Sequence, residues 1–364
     1  MYRAVAQAIE AVYPGDETQA AALAEHWRGA GDSAKEVHYA HAAARQAFDV
    51  SDFRGASALA ERVLALLSTM GDERTKMLLL KLLGDAHEGL SEYPQATARY
   101  QASLAIAREL ADTVNIAAAL NGLGRVGERQ GDYATARAYH EESLALARQS
   151  GDNKVVAANL NSLGVLAINQ SNYTAAQTHL EESLKLRRES GNRRGMASSL
   201  HNLGTVAAHQ GHYAAARAYL EESLAIEREV GNRHGVAGDL SNLGVIANWQ
   251  GDYQAAQSYL EESLRINQEI GNLYGLAANL SNLGDVATKR DDYPAAQLHY
   301  ERGLALFREI GHQHGVAVSL TGLGNVAVRQ GDYAAARKHY EESLQAHRAI
   351  GHGWALSQRS MNWR

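Results

Sequence analysis

Cysteine is absent from the 364 residues, which removes disulfide bridges, cysteine-ligated zinc, iron–sulfur clusters and thiol nucleophiles together. A basic excess is lacking too: the net charge of −6 and a sequence pI near 6.2 offer nothing to draw nucleic acid or an acidic membrane. No apolar run approaches the roughly 18 residues of a membrane-spanning helix. The N-terminus does not show the charged, apolar, small-residue order of a signal peptide. A soluble, cytoplasmic protein without nucleic-acid or membrane partners is expected. Proline occurs three times against 33 glycines, a balance that fits neither collagen nor a disordered linker. Something regular must use the glycine.

That regularity is a repeat of 40 residues. Leu80, Leu120, Leu160, Leu200, Leu240, Leu280 and Leu320 are each followed four places later by a glycine, from Gly84 to Gly324, without one insertion. A second glycine column holds Gly71, Gly151, Gly191, Gly231, Gly271, Gly311 and Gly351. Shorter ones hold Gly131, Gly211, Gly251 and Gly331, and Gly195, Gly235, Gly275 and Gly315. Most glycine here is therefore positional.

Each unit reads as two helices. The first, such as Val155 to Gln170, carries Ala158, Leu160, Leu163, Gly164 and Ala167 on one stripe. The second, such as Tyr173 to Ser190, turns Ala176, Leu180, Leu184 and Leu186 inward and Glu181, Glu182, Lys185, Arg187 and Arg188 outward. Gly131-Asp132-Tyr133 and its equivalents join the two: glycine closes one helix in the left-handed conformation, and Asp or Asn caps the next. No alternating strand pattern occurs. The expected fold class is all-α, an array of antiparallel helix pairs.

These residues resemble the tetratricopeptide repeats. Asn202-Leu203-Gly204 matches the signature of the first helix, and Gln210-Gly211, Tyr213, Ala216 and Ser223-Leu224 follow at the family's offsets. Seven such units run from Met77 to Leu356, without the usual terminal proline. Their 40-residue length is similar to that of the GoLoco-motif spindle adaptors, kinesin light chains and bacterial peptide-sensing regulators. The resemblance implies a right-handed α-solenoid, or superhelix, that binds rather than catalyses. Residues 37–76 read as a degenerate unit, with Asp52-Phe53, Ala56 and Leu64 in register. Residues 1–36 read as a terminal helical pair broken at Pro14-Gly15, which caps the array or resembles the helical linker of bacterial signalling ATPases. Trp354 to Arg364 is too short for another pair, with 357–364 a tail, and a thinly covered end there implies weak self-association.

A search for chemistry finds no site that the repeat leaves unexplained. Gly122-Leu123-Gly124-Arg125-Val126-Gly127 spells the dinucleotide fingerprint but lies inside a first helix with no strand before it. The 16 histidines form no metal-ligand spacing. The paired glutamates, Glu141-Glu142 onward, recur on a solvated face beside arginines. No cofactor, metal or catalytic residue is expected.

The family resemblance also implies that the first helices line a concave groove, and here that lining is amide- and hydroxyl-rich. Asn161, Asn202, Thr205, His209, Asn242, Asn248, Trp249 and Asn282 are the candidate peptide contacts, and Arg125, Arg129 and Arg329 candidate clamps for acidic groups. In the family the Asn before Leu-Gly often contacts bound peptide, which maps to Asn202, Asn242 and Asn282; bonds between neighbouring helices are the competing use of the same amides. Trp249 is the strongest single anchor, with packing as its alternative. The tyrosine column from Tyr133 to Tyr333 reads as structural. Two functions follow: a scaffold holding a protein or peptide segment in the groove, or a ligand- or peptide-sensing arm of a bacterial signalling ATPase or transcription regulator.

Overall fold

The computed structural model describes residues 1–50, 52–67 and 71–361, the side chains of 17 and 349–361 excepted. Among the described residues there are eighteen α-helices, one short 3-10 turn at Glu17–Gln19 and no strand. None of these helices is long and apolar enough to cross a membrane. They fall into two compact units, Met1–Ser190 and Gly191–Arg364.

The first unit holds α1 (Tyr2–Val12), α2 (Ala20–Gly29), α3 (Ser33–Asp49), α4 (Phe53–Leu67), α5 (Glu73–Gly89), α6 (Tyr93–Glu109), α7 (Thr113–Gln130), α8 (Tyr133–Ser150), α9 (Asn153–Asn169) and α10 (Tyr173–Glu189). The second holds α11 (Arg193–His209), α12 (Tyr213–Glu229), α13 (Arg233–Trp249), α14 (Tyr253–Glu269), α15 (Leu273–Lys289), α16 (Tyr293–Glu309), α17 (Gln313–Gln330) and α18 (Tyr333–Met361). In each unit consecutive helices pack as pairs, and from α3 onward in the first unit and α11 onward in the second each first helix also touches the first helix of the next pair. The first helices thus form one continuous layer in each unit.

The boundaries are set locally. Gly131 closes α7 at φ 77°, and the Asp132 carboxylate accepts the Thr135 N–H to cap α8. Asp152, Asn192, Asn232 and Asn272 cap α9, α11, α13 and α15 in the same way. The close-packing glycines do what their column suggested: a Cβ on Gly204 would stand 2.7 Å from Leu220 Cγ and 3.2 Å from the Ala216 carbonyl oxygen. The Ser143, Ser223 and Ser263 hydroxyls each donate to a first-helix carbonyl 26 residues back, so the pair interface is both apolar and hydrogen-bonded.

Two expectations are corrected. Arg187, expected on the outer face, is buried. Its column, with Ala147 in the first unit and Glu227, Asn267 and Phe307 in the second, points into the packing between pairs, and burial pushes the guanidinium down to about 10. The helix end expected at Gly351 is also absent. The backbone of α18 continues to Met361, in keeping with the helix-forming residues Ala355, Leu356, Gln358 and Arg359 that follow. Trp354 to Arg364, with the self-association expected there, lies outside the residues whose side chains are described.

Candidate functional site

In the second unit the first helices end on a column at 40-residue steps. His209, Trp249 and Lys289 are the last residues of α11, α13 and α15, and Arg329 lies in the last turn of α17. Trp249 is half exposed. Its ring centroid lies 6.0 Å from that of Tyr213 and 6.5 Å from that of His209.

A cavity opens on each side of this indole. The larger, about 550 Å³, is lined by His209, Tyr213, Asn248, Trp249, Tyr253 and Lys289. The smaller, about 220 Å³, lies among Gly204, Thr205, Leu220, Asn242, Val245 and Ile246, with Ala208, His209 and Trp249 as shared wall. Gly204 lets α11 approach Leu220 closely, so that the leucine packs where a side chain on that glycine would stand. Most of the smaller cavity's walls are carbon; among its polar side chains are the Thr205 hydroxyl, the Asn242 amide and the His209 imidazole.

The polar atoms differ in how completely they are satisfied. The Thr205 hydroxyl donates to the His201 carbonyl at 3.1 Å. The Asn242 amide reaches Thr205 Oγ1 and His201 Nε2, both at 3.4 Å. Bonds that long are weak, so this amide can turn to a ligand at small cost. The side-chain oxygen of Asn248 is buried and has no hydrogen-bond partner among the described residues. An orphaned acceptor beside a cavity is satisfied by an incoming N–H.

Behind the site, His201 Nδ1 lies 2.7 Å from Asp239 Oδ1, and Asp239 and Glu227 are both buried. Burial pushes the Glu227 carboxyl up and neighbouring Asp239 adds to this, against a hydrogen bond from Asn232 and the charges of His201 and Arg194.

Thr205, His209, Asn242, Asn248 and Trp249 are therefore brought together. Asn202 is half-buried on α11, and Asn282 is half-buried on α15 and makes no hydrogen bond to a described residue. Asn161 belongs to a different set: its side-chain oxygen accepts from Arg187 Nη1 at 3.3 Å. Its column mates join first helices across pairs, Asn121 to Asn159 and Ser241 to Asn279 at 2.7 Å and Ser281 to Ser319 at 3.0 Å. Asn161 itself is half-buried, and the bond to Arg187 engages part of its amide.

Arg125 is corrected likewise. Its guanidinium is bound to Glu88 at 2.7 Å, Asp85 at 3.0 Å, the Tyr100 hydroxyl at 2.8 Å and Asn121 at 2.7 Å, which leaves little of it for an acidic ligand. Arg129 is exposed on the rim of a separate cavity of about 470 Å³ walled by Phe48, Phe53 and Tyr93. Arg329 is exposed without a salt bridge to a described residue.

The apparent dinucleotide motif lies within α7, where a Cβ on Gly122, Gly124 or Gly127 would meet Tyr100, His140 or Ala136. Its glycines make room for neighbouring side chains rather than for a pyrophosphate. Sequence reasoning underrated Tyr213, Tyr253 and Lys289. The two tyrosines follow helix turns and read as turn residues, although the same column borders Trp249.

Residues 75–149, 155–229, 239–309 and 276–349 match the tetratricopeptide repeat family. A comparison with curated protein sequences gave no match. Among solved structures, a Rap protein complexed with Competence and Sporulation Factor is similar at TM-score 0.68 and 13% identity, over 96% of each chain. The Rap conjugation gene regulator of the plasmid pLS20, in complex with the Phr* peptide, is similar at TM-score 0.61 and 13% identity, over 87% of this chain and 96% of that one. BtubC (BKLC) from P. vanneervenii is similar at TM-score 0.50 and 21% identity, over 59% of this chain and 91% of that one.

Proposed function

The chain belongs to the tetratricopeptide repeat family, and from that premise we propose that it is a non-catalytic interaction scaffold holding an extended peptide or partner segment on its first-helix layer at Trp249. The observation that carries this reading is a half-exposed indole between two cavities, beside a buried amide oxygen without a partner among the described residues. The similar Rap structures include two whose bound molecules are a factor and a peptide, which lends support through the shared fold.

Magnitudes show why the tryptophan matters more than the amides. Two or three side-chain hydrogen bonds at about 0.5–1.5 kcal/mol each fall short of the roughly 8 kcal/mol of a micromolar complex. Covering the remaining indole surface and filling the smaller cavity supplies the difference through apolar burial. A second reading, a regulatory arm whose packing responds to a bound peptide, is favoured by the extent of the likeness to the Rap structures. Ligand-dependent hydrogen exchange across α11 to α15 separates the two, because a passive scaffold protects only the contact residues.

The scaffold reading is tested by selecting a random displayed-peptide library on the intact protein and titrating the enriched peptides against wild type and Trp249→Ala. Loss of about tenfold or more in affinity, with unchanged circular dichroism, is expected. Selected peptides that bind both proteins equally would falsify the assignment.

A further inference from the structure

The scaffold reading leaves open which way the Asn242 amide is turned, and the residues behind it bear on that. His201 stands on α11 with its ring against α13, where a Cβ on Gly238 would lie 3.6 Å from His201 Cε1. One ring nitrogen, Nδ1, is 2.7 Å from Asp239 Oδ1. The other, Nε2, is 3.4 Å from the Asn242 side-chain nitrogen, which also reaches Thr205 Oγ1 at 3.4 Å. Asp239 is buried, and an ionised carboxylate only accepts hydrogen bonds, so Nδ1 keeps its proton whether the ring is neutral or charged. The proton that comes and goes is the one on Nε2, the atom that faces Asn242.

The next step of the repeat carries the same three positions without an imidazole. Ser241, Asn279 and Asn282 stand 40 residues after His201, Asp239 and Asn242. The Ser241 hydroxyl donates to Asn279 Oδ1 at 2.7 Å, and Asn282 makes no hydrogen bond to a described residue. A titratable group is thus set against the amide at one step and not at its neighbour. Two other charged groups belong to this surrounding: buried Glu227 of α12 feels the charges of Asp239, His201 and Arg194, the last in the first turn of α11.

We propose that His201, held by Asp239, is a positioning residue whose charge selects which end of the Asn242 amide the smaller cavity presents. A neutral ring offers the Nε2 lone pair, which accepts from the Asn242 –NH2 and leaves the amide oxygen to accept an N–H of the bound segment. A protonated ring donates from Nε2, so the amide turns over, its oxygen accepts that N–H, and its –NH2 faces the segment instead. The Thr205 hydroxyl can donate or accept and fits both arrangements. This rests on the scaffold reading for its ligand and adds proton control to it. Binding that uses an N–H of the segment weakens as the pH falls through the range, about 5 to 8, in which histidine gains its charge.

The full chain, isotope-labelled and without ligand, is followed by NMR from pH 8 to pH 5.5. The –NH2 signals of Asn242 and Asn282 are assigned by their loss in Asn242→Asp and Asn282→Asp. At pH 8 the Asn242 –NH2 is expected to show cross-relaxation to the His201 ring. As that ring titrates, this contact should give way to contacts with the cavity-wall methyls of Val245 and Ile246, while Asn282 stays unchanged. Asn242 contacts that persist unaltered through the His201 titration overturn the proposal, whether or not any variant folds. The ligand side is read with an end-blocked heptapeptide of alanines around one central leucine, and with its N-methyl-leucine counterpart, which lacks that N–H. Wild type is expected to favour the unmethylated peptide by about three- to tenfold at pH 8 and to lose that preference at pH 5.5. His201→Gln, which cannot titrate, should show one preference at both pH values; a wild-type pH dependence that survives in this variant also overturns the proposal. If neither peptide binds in a Trp249-dependent way, the scaffold reading fails, and the –NH2 contacts of the free protein still decide the amide's orientation.

Discussion

The ring of Tyr300 fills the space in front of Gly322: a Cβ on that glycine would stand 2.4 Å from Tyr300 Cε1. Tyr100 and Gly122 repeat the arrangement in the first unit, also at 2.4 Å. Where the earlier position is Leu220 or Leu260, the residue 22 places later is Asn242 or Asn282. The amide column of the candidate site therefore survives only where a leucine, rather than a tyrosine, packs ahead of it. Gly322→Asn is expected to cost about 1–3 kcal/mol through overpacking. Adding Tyr300→Leu is expected to recover part of that, so a double-mutant cycle by urea unfolding should show favourable coupling. Simple additivity would count against the steric explanation.

A second prediction concerns acid. Seven first helices of the two units carry Asp or Asn at the cap, but α17 is capped by His312, whose Nδ1 accepts the Gly315 N–H at 3.0 Å. That role needs an unprotonated Nδ1. Burial pushes the imidazole below its ordinary value and His314 adds to it, with the rings of Tyr274 and Phe307 packed alongside. Because the folded site favours the neutral ring, its contribution is fully present above the unfolded value of about 6.5 and is lost as the pH falls below that through the lowered folded value. His312→Asn should match wild type at pH 7.5 and lose less stability between pH 7 and 5.5. Parallel stability curves for the two proteins would refute the proton linkage.

Turn geometry gives a third. Ala111 sits at φ 50° where Gly71 and Gly151 sit at 73° and 71°. An alanine in this region carries a penalty of about 1–2 kcal/mol, partly offset by the extra freedom glycine has when unfolded. Ala111→Gly is expected to stabilise by about 0.5–1 kcal/mol. Gly151→Ala, where no atom lies within 4 Å of the added Cβ, should lose about 1 kcal/mol from the backbone alone. Thermal melts that leave both variants indistinguishable from wild type would contradict this.

The fourth tests the reassignment of Arg125. Burial works to raise the Asp85 carboxyl, yet Lys81 and Arg125 outweigh it and hold it below the usual carboxylate range. The Asp85 and Glu88 side chains are 10% and 15% exposed, so removing their cation leaves largely buried charge uncompensated. Arg125→Gln is expected to cost about 2–3 kcal/mol, the lower end for a broken buried pair because the guanidinium is a third exposed. If chemical denaturation shows no loss while peptide affinity falls, Arg125 belongs with the ligand contacts after all.

The sequence by itself determined the helices, their caps, the left-handed turns and the close-packing glycines. Each depends on residues a few places apart, and the 40-residue period repeats the signal. It also pointed to Trp249 as an aromatic anchor and, through the family resemblance, to Asn242, with Thr205, His209 and Asn248 on the same first-helix lining. Only the tertiary structure decided the rest. Arg125, Asn161 and Arg187 are polar in sequence, and what engages or buries them comes from helices 26 to 40 residues away. Which side chains wall the two cavities beside Trp249, and that Leu220 packs where a side chain on Gly204 would stand, is likewise settled only by the packing. Period and turn are properties of the chain read along itself, whereas burial, pairing and empty space depend on which side chains meet across the stack.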